Sequence, residues 1–462
     1  MMSVEQTAPA EHLWGERLTL VSSIREVRHA SLLDTLRLAQ GEARIYWKND
    51  LLPVAYAGYG AAAKLIAEGQ SRIARIQLQI DHLYEGAHLP GNAPREAAPR
   101  LFGGFAFGAH YAPDGIWSAF PSACFILPRV QFTQIDGRTW LTISQNVESD
   151  VSQRSTLRHL EQDANDVVDA LAHLKLSPVL SASVEQIDYP LALDDWRRMI
   201  TGATMRIHAG ELNKVVLSRV CDVAFADPID PVHVLENLGS RYPDCFRFLL
   251  EVEPGHAFIG ATPELMAEVH DSNLHTMALA GSRKRGATTE EDDALAQEMM
   301  DSPKERHEHA LVVEGLRERV RPYARTMDVP DAPTIYRLQN IQHLYTPVRA
   351  ELETHFDVLD LVGELHPTPA LGGTPRRAAV EAIEQLETEE RGWYAAPVGW
   401  VDANGDGVFA VAIRSAVSAG NHARLYAGVG IVAESDPDKE WEETGWKFKP
   451  LLGALGVTDG ST

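Results

Sequence analysis

The last third of the chain limits its architecture most. Three β-rich runs, Ala395–Val401, Val408–Ala416 and Arg424–Ala433, are joined by the turn-forming segments DANGDG (402–407) and SAGNH (418–422). Connections this short pair strands antiparallel, because a parallel partner needs a crossover of a dozen or more residues. The strict alternation of strand and helix that builds a parallel sheet is missing. The pattern therefore predicts an α+β fold, with large antiparallel sheets and helices between their runs. Ala43–Trp47 and Leu51–Tyr56 repeat the strand pattern early in the chain, and Lys214–Val220 reads as another strand. Helical periodicity marks 157–174. A further helix is expected through WRRMITGATMRIHA (196–209), N-capped by Asp194 or Asp195 and ended by Gly210. The polar stretch Leu176–Pro190, with two prolines and no period, is the best linker and divides the chain into 1–189 and 190–462.

At 462 residues the chain can bury a large core without disulfides. Its 42 Lys and Arg against 65 Asp and Glu leave a net charge of −23, which repels phosphate backbones and argues against a nucleic-acid partner. An anionic substrate would need a locally positive pocket or a metal ion. Cys124, Cys221 and Cys245 are too few and too scattered for a disulfide framework or a zinc cage, and read as reduced, buried thiols. The N-terminus shows no signal-peptide pattern and no run is apolar enough to span a membrane, so a cytoplasmic protein is expected.

Some motifs mislead. Asp402-Ala-Asn404-Gly-Asp406-Gly407 opens like a calcium loop, but the twelfth position is Ile413 where a bidentate Glu is needed, so it reads as a hairpin turn. Gly58-Tyr-Gly60-Ala-Ala-Ala63 lacks the repeated strand–helix units of a dinucleotide site. Gly103-Gly104-Phe-Ala-Phe-Gly108 reads as close backbone packing. His307-Glu308-His309 would need a second His at Leu311 to make a zincin helix.

Other residues carry chemistry. Glu305 and Glu308 lie three apart in SPKERHEHALVVEGLRERV, as do Glu440 and Glu443 in DPDKEWEETGWKFKPLLGAL. That spacing puts both carboxylates of a pair on one helix face. Two such faces together could hold a hard cation through oxygen, magnesium fitting best; a solvated acidic face is the plainer alternative. Lys214 sits among Val215, Val216 and Leu217, where burial would favour a neutral amine able to act as a base; an edge lysine pointing to water is its plain alternative. Glu264, in FIGATPELM, follows a turn after an apolar strand. Arg414, inside VFAVAIRSAV, is a charge in an apolar strand and calls for an anionic partner, from the protein or a ligand.

The segments ALAGSRKRG (278–286), SPKERHEHALVV (302–313), QNIQHL (339–344), HPTPALGGTP (366–375), RGWYAAPVGW (391–400), FAVAIRSA (409–416), GVGIVAESDP (428–437) and EWEETGWK (440–447) together resemble the chorismate-utilising enzymes. That family holds isochorismate, salicylate, anthranilate and aminodeoxychorismate synthases. The resemblance is dense from about 190 to 452 and looser before, and it implies one α/β sandwich of antiparallel sheets flanked by helices. The stretch 176–190 would then be a connection within one unit.

The resemblance also implies roles. Lys214 falls on the general base, and Glu264 on the general acid that protonates the departing C4 hydroxyl of chorismate. Glu308 and Glu443 fall on magnesium ligands, with Glu305 and Glu440 as more distant partners. Arg414, Tyr394 and the amides around Gly428 and Gly430 fall on positions that bind the enolpyruvyl carboxylate, and His343 and Lys447 on others lining the site. Lys214 stands where similar anthranilate synthases have Gln, and Ala280 where aminodeoxychorismate synthases have a nucleophilic lysine. Ala370-Leu371 fits the isochorismate synthases, since salicylate synthases have Thr at the first of these positions. The expected activity is magnesium-dependent conversion of chorismate to isochorismate for menaquinone or siderophore synthesis, by a monomer with no amidotransferase subunit. Salicylate synthase and a catalytically silent chorismate-binding homologue are the alternatives.

Overall fold

Antiparallel ladders organise the chain. The structure, a computed structural model, describes residues 18–28, 30–148, 152–175, 183–339 and 341–457. Among these, two large sheets of 12 and 10 strands form, and every ladder between named strands is antiparallel. One face of each sheet packs on the other through a core rich in aromatic side chains. Phe258 meets Trp117, Phe248 and Phe120 at ring-centroid distances of 5.2, 5.3 and 6.2 Å, and Phe120 meets Trp393 at 5.4 Å. A second apolar cluster lies under helices on the other face of the 12-stranded sheet, with Leu36, Leu160, Leu235 and Leu451 in it. This is a sheet sandwich flanked by helices, in the α+β class.

Both stretches on either side of residue 190 contribute to both sheets. Arg44–Lys48 pairs with Phe246–Glu253 in the larger sheet, and Leu101–Phe105 with Pro397–Val401 in the smaller. Of the expected linker, 176–182 lies outside the described residues, whereas Val184–Asp188 is a strand on Lys214–Phe225. The expected N-cap at Asp194 or Asp195 is also corrected. The helix is Leu193–His208, its N-cap is Ala192, and both acids sit in the first turn, where they meet the positive end of the helix dipole. DANGDG makes a hairpin turn in which Asp402 accepts from the Asn404 and Asp406 amides.

The run Val408–Ala416, read as one strand, is two. Gly407–Val411 belongs to the smaller sheet and Ser415–Ala419 to the larger, with Ala412–Arg414 crossing between them. The chain crosses the other way between His256–Thr262 and Leu265–His270, at Pro263-Glu264. The two crossovers are zipped together: the Val411 amide donates to the Glu264 carbonyl (3.0 Å) and the Ala261 amide to the Arg414 carbonyl (3.0 Å). Arg414 is therefore no mid-strand charge. Its φ of 48° lies in the left-handed region that a side chain rarely adopts, and it is held there by these bonds.

A buried ion pair fastens the neighbouring segments. Arg391 donates to Glu387 from two nitrogens (2.6 and 2.8 Å) and also to the Leu371 and Val216 carbonyls. Glu387 accepts in turn from the amide and hydroxyl of Ser218. One network thus ties the Lys214 strand, the 366–375 loop and the 391–396 segment. Glu387→Gln leaves the Arg391 charge buried without its partner and should cost about 3–5 kcal/mol. A urea titration showing a loss below about 1 kcal/mol would contradict the assignment.

Candidate active site

Two acidic helices face the crossovers. The first, Pro303–Val320, is N-capped by Ser302, whose hydroxyl accepts from the Glu305 amide. The second, Pro437–Ala454, is N-capped by Asp436, which accepts from the Asp438 and Lys439 amides. These caps place Glu305 and Glu308 on one helix, and Glu440 and Glu443 on the other, towards a common cavity. Strand Lys214–Phe225 lines it with Lys214 and Val216, and strand His422–Ile431 with Tyr426, Gly428 and Gly430. The crossovers add Glu264 and Arg414. Every residue singled out from the sequence lines this cavity: Lys214, Glu264, Glu305, Glu308, His343, Ala370, Leu371, Tyr394, Arg414, Gly428, Gly430, Glu440, Glu443 and Lys447.

Lys214 is 1% exposed, and its Nζ meets Glu308 Oε1 at 2.9 Å. It is not the edge lysine of the plainer alternative. Gly430 makes this pair possible: a Cβ there would lie 2.5 Å from Glu308 Oε1 and 2.9 Å from Lys214 Cε. Glu264 is 6% exposed, and burial pushes its carboxyl up to about 8 against the pull of Lys214 and Lys447. It therefore holds its proton at neutral pH.

Arg414 forms no ion pair among the described residues, although burial pulls its pKa down and so opposes its charge. A guanidinium held inside a cavity without a carboxylate partner is a receptor for an anion. Tyr394 stacks on Tyr426 at 4.9 Å with its hydroxyl next to Gly428, and Lys447 donates to the Gly428 carbonyl at 2.8 Å. His343 Nδ1 lies 3.1 Å from the Gly281 carbonyl and 3.0 Å from the Ser282 hydroxyl; the carbonyl can only accept, so it calls for the proton on Nδ1, and the hydroxyl can accept as well. Nε2 is then a lone-pair acceptor with no partner among the described residues, and burial, reinforced by Arg414, lowers the ring to about 3, so it is neutral. An anion and a hydroxyl would satisfy Arg414 and His343 together.

The four glutamates are crowded. Burial and the Glu443 charge push Glu440 up to about 7 against Lys304, and burial with Glu308 raises Glu305. Burial opposes the Glu443 charge too, but Lys447 at 2.7 Å and Lys304 outweigh it and hold the carboxyl low. Three lysines, Lys214, Lys304 and Lys447, face four carboxylates, and all the donors are oxygen. That set fits a hard divalent cation. The described residues whose ligand atoms already lie within 4.8 Å of one another are elsewhere, at His270, Asp271 and Asp406. There Arg95 already supplies the cation, at 2.6 Å from Asp406 and 2.7 Å from Asp271.

Lys304, Gly281, Ser282, Val216, Pro263, Leu279, Ile413, Tyr426 and Ala427 also line the cavity and were not singled out. Strand period points to two of them: Val216 shares a face with Lys214, and Tyr426 with Gly428 and Gly430. Lys304 stands directly before Glu305, and its Nζ is 3.6 Å from Glu440 across the gap between the helices.

A sheet sandwich with a buried acid, a buried lysine and an arginine that forms no ion pair among the described residues, all around one cavity, defines an enzyme for a small anionic substrate. The chain belongs to the chorismate binding enzyme family, which it matches over residues 7–456. Isochorismate synthase MenF of Bacillus subtilis is 36% identical over 382 residues, 83% of this chain and 79% of that protein. The salicylate biosynthesis isochorismate synthase of Pseudomonas aeruginosa is 35% identical, over 90% of this chain and 85% of that one. Among solved structures, the menaquinone-specific isochorismate synthase MenF of Escherichia coli superposes with a TM-score of 0.76 at 26% identity, covering 96% of both chains. No helix of the described residues is long and apolar enough to cross a membrane.

Gly430→Ala should drive Glu308 and Lys214 apart and lower kcat/KM about 100-fold or more, because a displacement of about 1 Å at reacting groups costs that much. Wild-type kinetics in a folded Gly430→Ala protein would show that the pair does not matter. If Glu264 donates a proton, Glu264→Gln, which keeps the shape of the side chain but carries no acidic proton, should lower kcat/KM by about 10²–10⁴, and an unchanged kcat/KM would remove it as the donor.

Proposed function

We propose that this protein is an isochorismate synthase, converting chorismate to isochorismate with water as nucleophile. Two buried groups on one cavity, Lys214 and Glu264, beside Arg414, which forms no ion pair among the described residues, carry the reading. Water is a weak nucleophile and hydroxide a poor leaving group, so the reaction needs a base and an acid at once. In our reading Lys214 takes the proton from water as its oxygen bonds to C2 of the ring. The ring double bonds shift, the C4–O bond breaks, and Glu264 gives its proton to the leaving hydroxyl, which departs as water. Base and acid exchange protons with solvent, and the reaction runs equally in reverse.

Arg414 would bind the enolpyruvyl carboxylate, helped by Tyr394 and the backbone at Gly428 and Gly430. His343, neutral and with a free Nε2, would accept from a substrate hydroxyl. Glu308 and Glu443 would hold magnesium, with Glu305 and Glu440 around it, and the ion when bound would offset the ring carboxylate. Water as nucleophile needs no ammonia-delivering subunit. One similar structure is described as menaquinone-specific and one relative is named for salicylate biosynthesis; menaquinone or siderophore synthesis is the destination we propose for the product.

Chromatography of the products from chorismate, with and without magnesium, chelator and ammonium, tests the reading. Isochorismate alone, lost with chelator, is the expected outcome. Salicylate with pyruvate, an aminated product, or no product would each overturn it. Lys214→Ala should lower kcat by about 10²–10⁴ while chorismate still binds; undiminished turnover would remove Lys214 as the base.

A further inference from the structure

A second cavity adjoins the first, behind the C-terminal acidic helix. The two share Ser282, Arg414, Glu443 and Lys447, so the Arg414 and Lys447 side chains form a common wall. The outer cavity is otherwise lined by Arg283, Lys284, Ile341, Trp446 and Lys449. None of these five belongs to the inner cavity.

Charge sets this place apart. Arg283, Lys284, Lys449, Arg414 and Lys447 put five cations around it, and its one carboxylate, Glu443, is already engaged by Lys447 at 2.7 Å. The whole chain carries −23. Lys284 and Lys449 are exposed and form no ion pair among the described residues; Arg283 reaches the exposed Glu298 at 3.3 Å, yet its Nε is buried without a partner. Unpaired like charges on adjacent elements repel one another and lower stability, so folding gains nothing from collecting them here. Trp446 adds a large apolar surface, 49% exposed. Solvent-facing indole beside guanidinium and ammonium groups suits a ring that carries carboxylates.

We propose that the outer cavity is an antechamber for the substrate: a cyclic dicarboxylate is drawn in by Arg283, Lys284 and Lys449, lies against Trp446, and passes to the inner cavity past Arg414 and Lys447. This rests on the isochorismate synthase reading only in that the substrate is chorismate. The device answers a physical problem, since an acidic protein repels the dianion it must capture. Clustered cations in a cleft reverse the field locally and raise the encounter rate by about 10–10³.

The Lys284→Glu/Lys449→Glu double variant tests this, with the Lys284→Gln/Lys449→Gln pair as its neutral step. The assay is chorismate consumption, whatever the product, across ionic strength. The antechamber requires kcat/KM at low salt to fall about tenfold in the Glu pair and less in the Gln pair, with kcat within about twofold of wild type. Salt should depress wild-type kcat/KM more steeply than that of either variant, since screening removes what the mutations remove. Unchanged kcat/KM, or equal losses of kcat and kcat/KM in both pairs, overturns the proposal. Quenching of Trp446 by chorismate, read as the difference from Trp446→Phe in protein without magnesium, is a second readout; no difference counts against it. Wild-type protein that consumes no chorismate would instead overturn the functional reading, while the quenching still decides whether a dicarboxylate occupies the outer cavity.

Discussion

Everything at the active site depends on two strands changing sheets side by side. Pro263-Glu264 and Ala412–Arg414 cross between the sheets in opposite directions, and backbone bonds at Glu264 and Arg414 join them. Where chains leave a ladder, side chains no longer alternate between core and solvent, and a gap opens between the layers. Into that gap come Glu264 and Arg414, both on backbone fixed by neighbouring strands. The Arg391–Glu387 network then holds the Lys214 strand and the 366–375 loop against the same gap.

The site's electrostatics follow from this burial. A protein of −23 can hold an anion only where its local field is positive, and Arg414 and Lys447 inside the cavity, with further cations at its mouth, make such a field. The same burial makes Glu264 an acid at neutral pH and keeps His343 neutral. The glutamates sit in pairs because helix periodicity brings i and i+3 to one face, and lysines on three different elements share their charge.

Much of this was legible. The antiparallel runs, the hairpin at 402–407, the two glutamate pairs and the isolated Lys214 and Arg414 could be read from residue type and spacing. What could not be read has a common cause. Val408–Ala416 looks like one strand because its apolar residues suit both sheets, and nothing local says that the chain changes partners at Ala412. Asp194 and Asp195 look like caps, but the N-cap is Ala192, two or three residues earlier, and both acids fall inside the first turn. Lys304 looks like any helix-surface lysine until a second helix is placed opposite it.

The class of fold, the helix faces that carry carboxylates, and the family to which the chain belongs are written in the residues, because turn chemistry, periodicity and motif order are local properties of a chain. The pairing of Lys214 with Glu308, the lack of an ion pair for Arg414 among the described residues, and the wall shared by two cavities arise only in three dimensions. Those facts join residues on different elements of the chain, and burial and charge pairing between them exist only once the sheets have closed on one another.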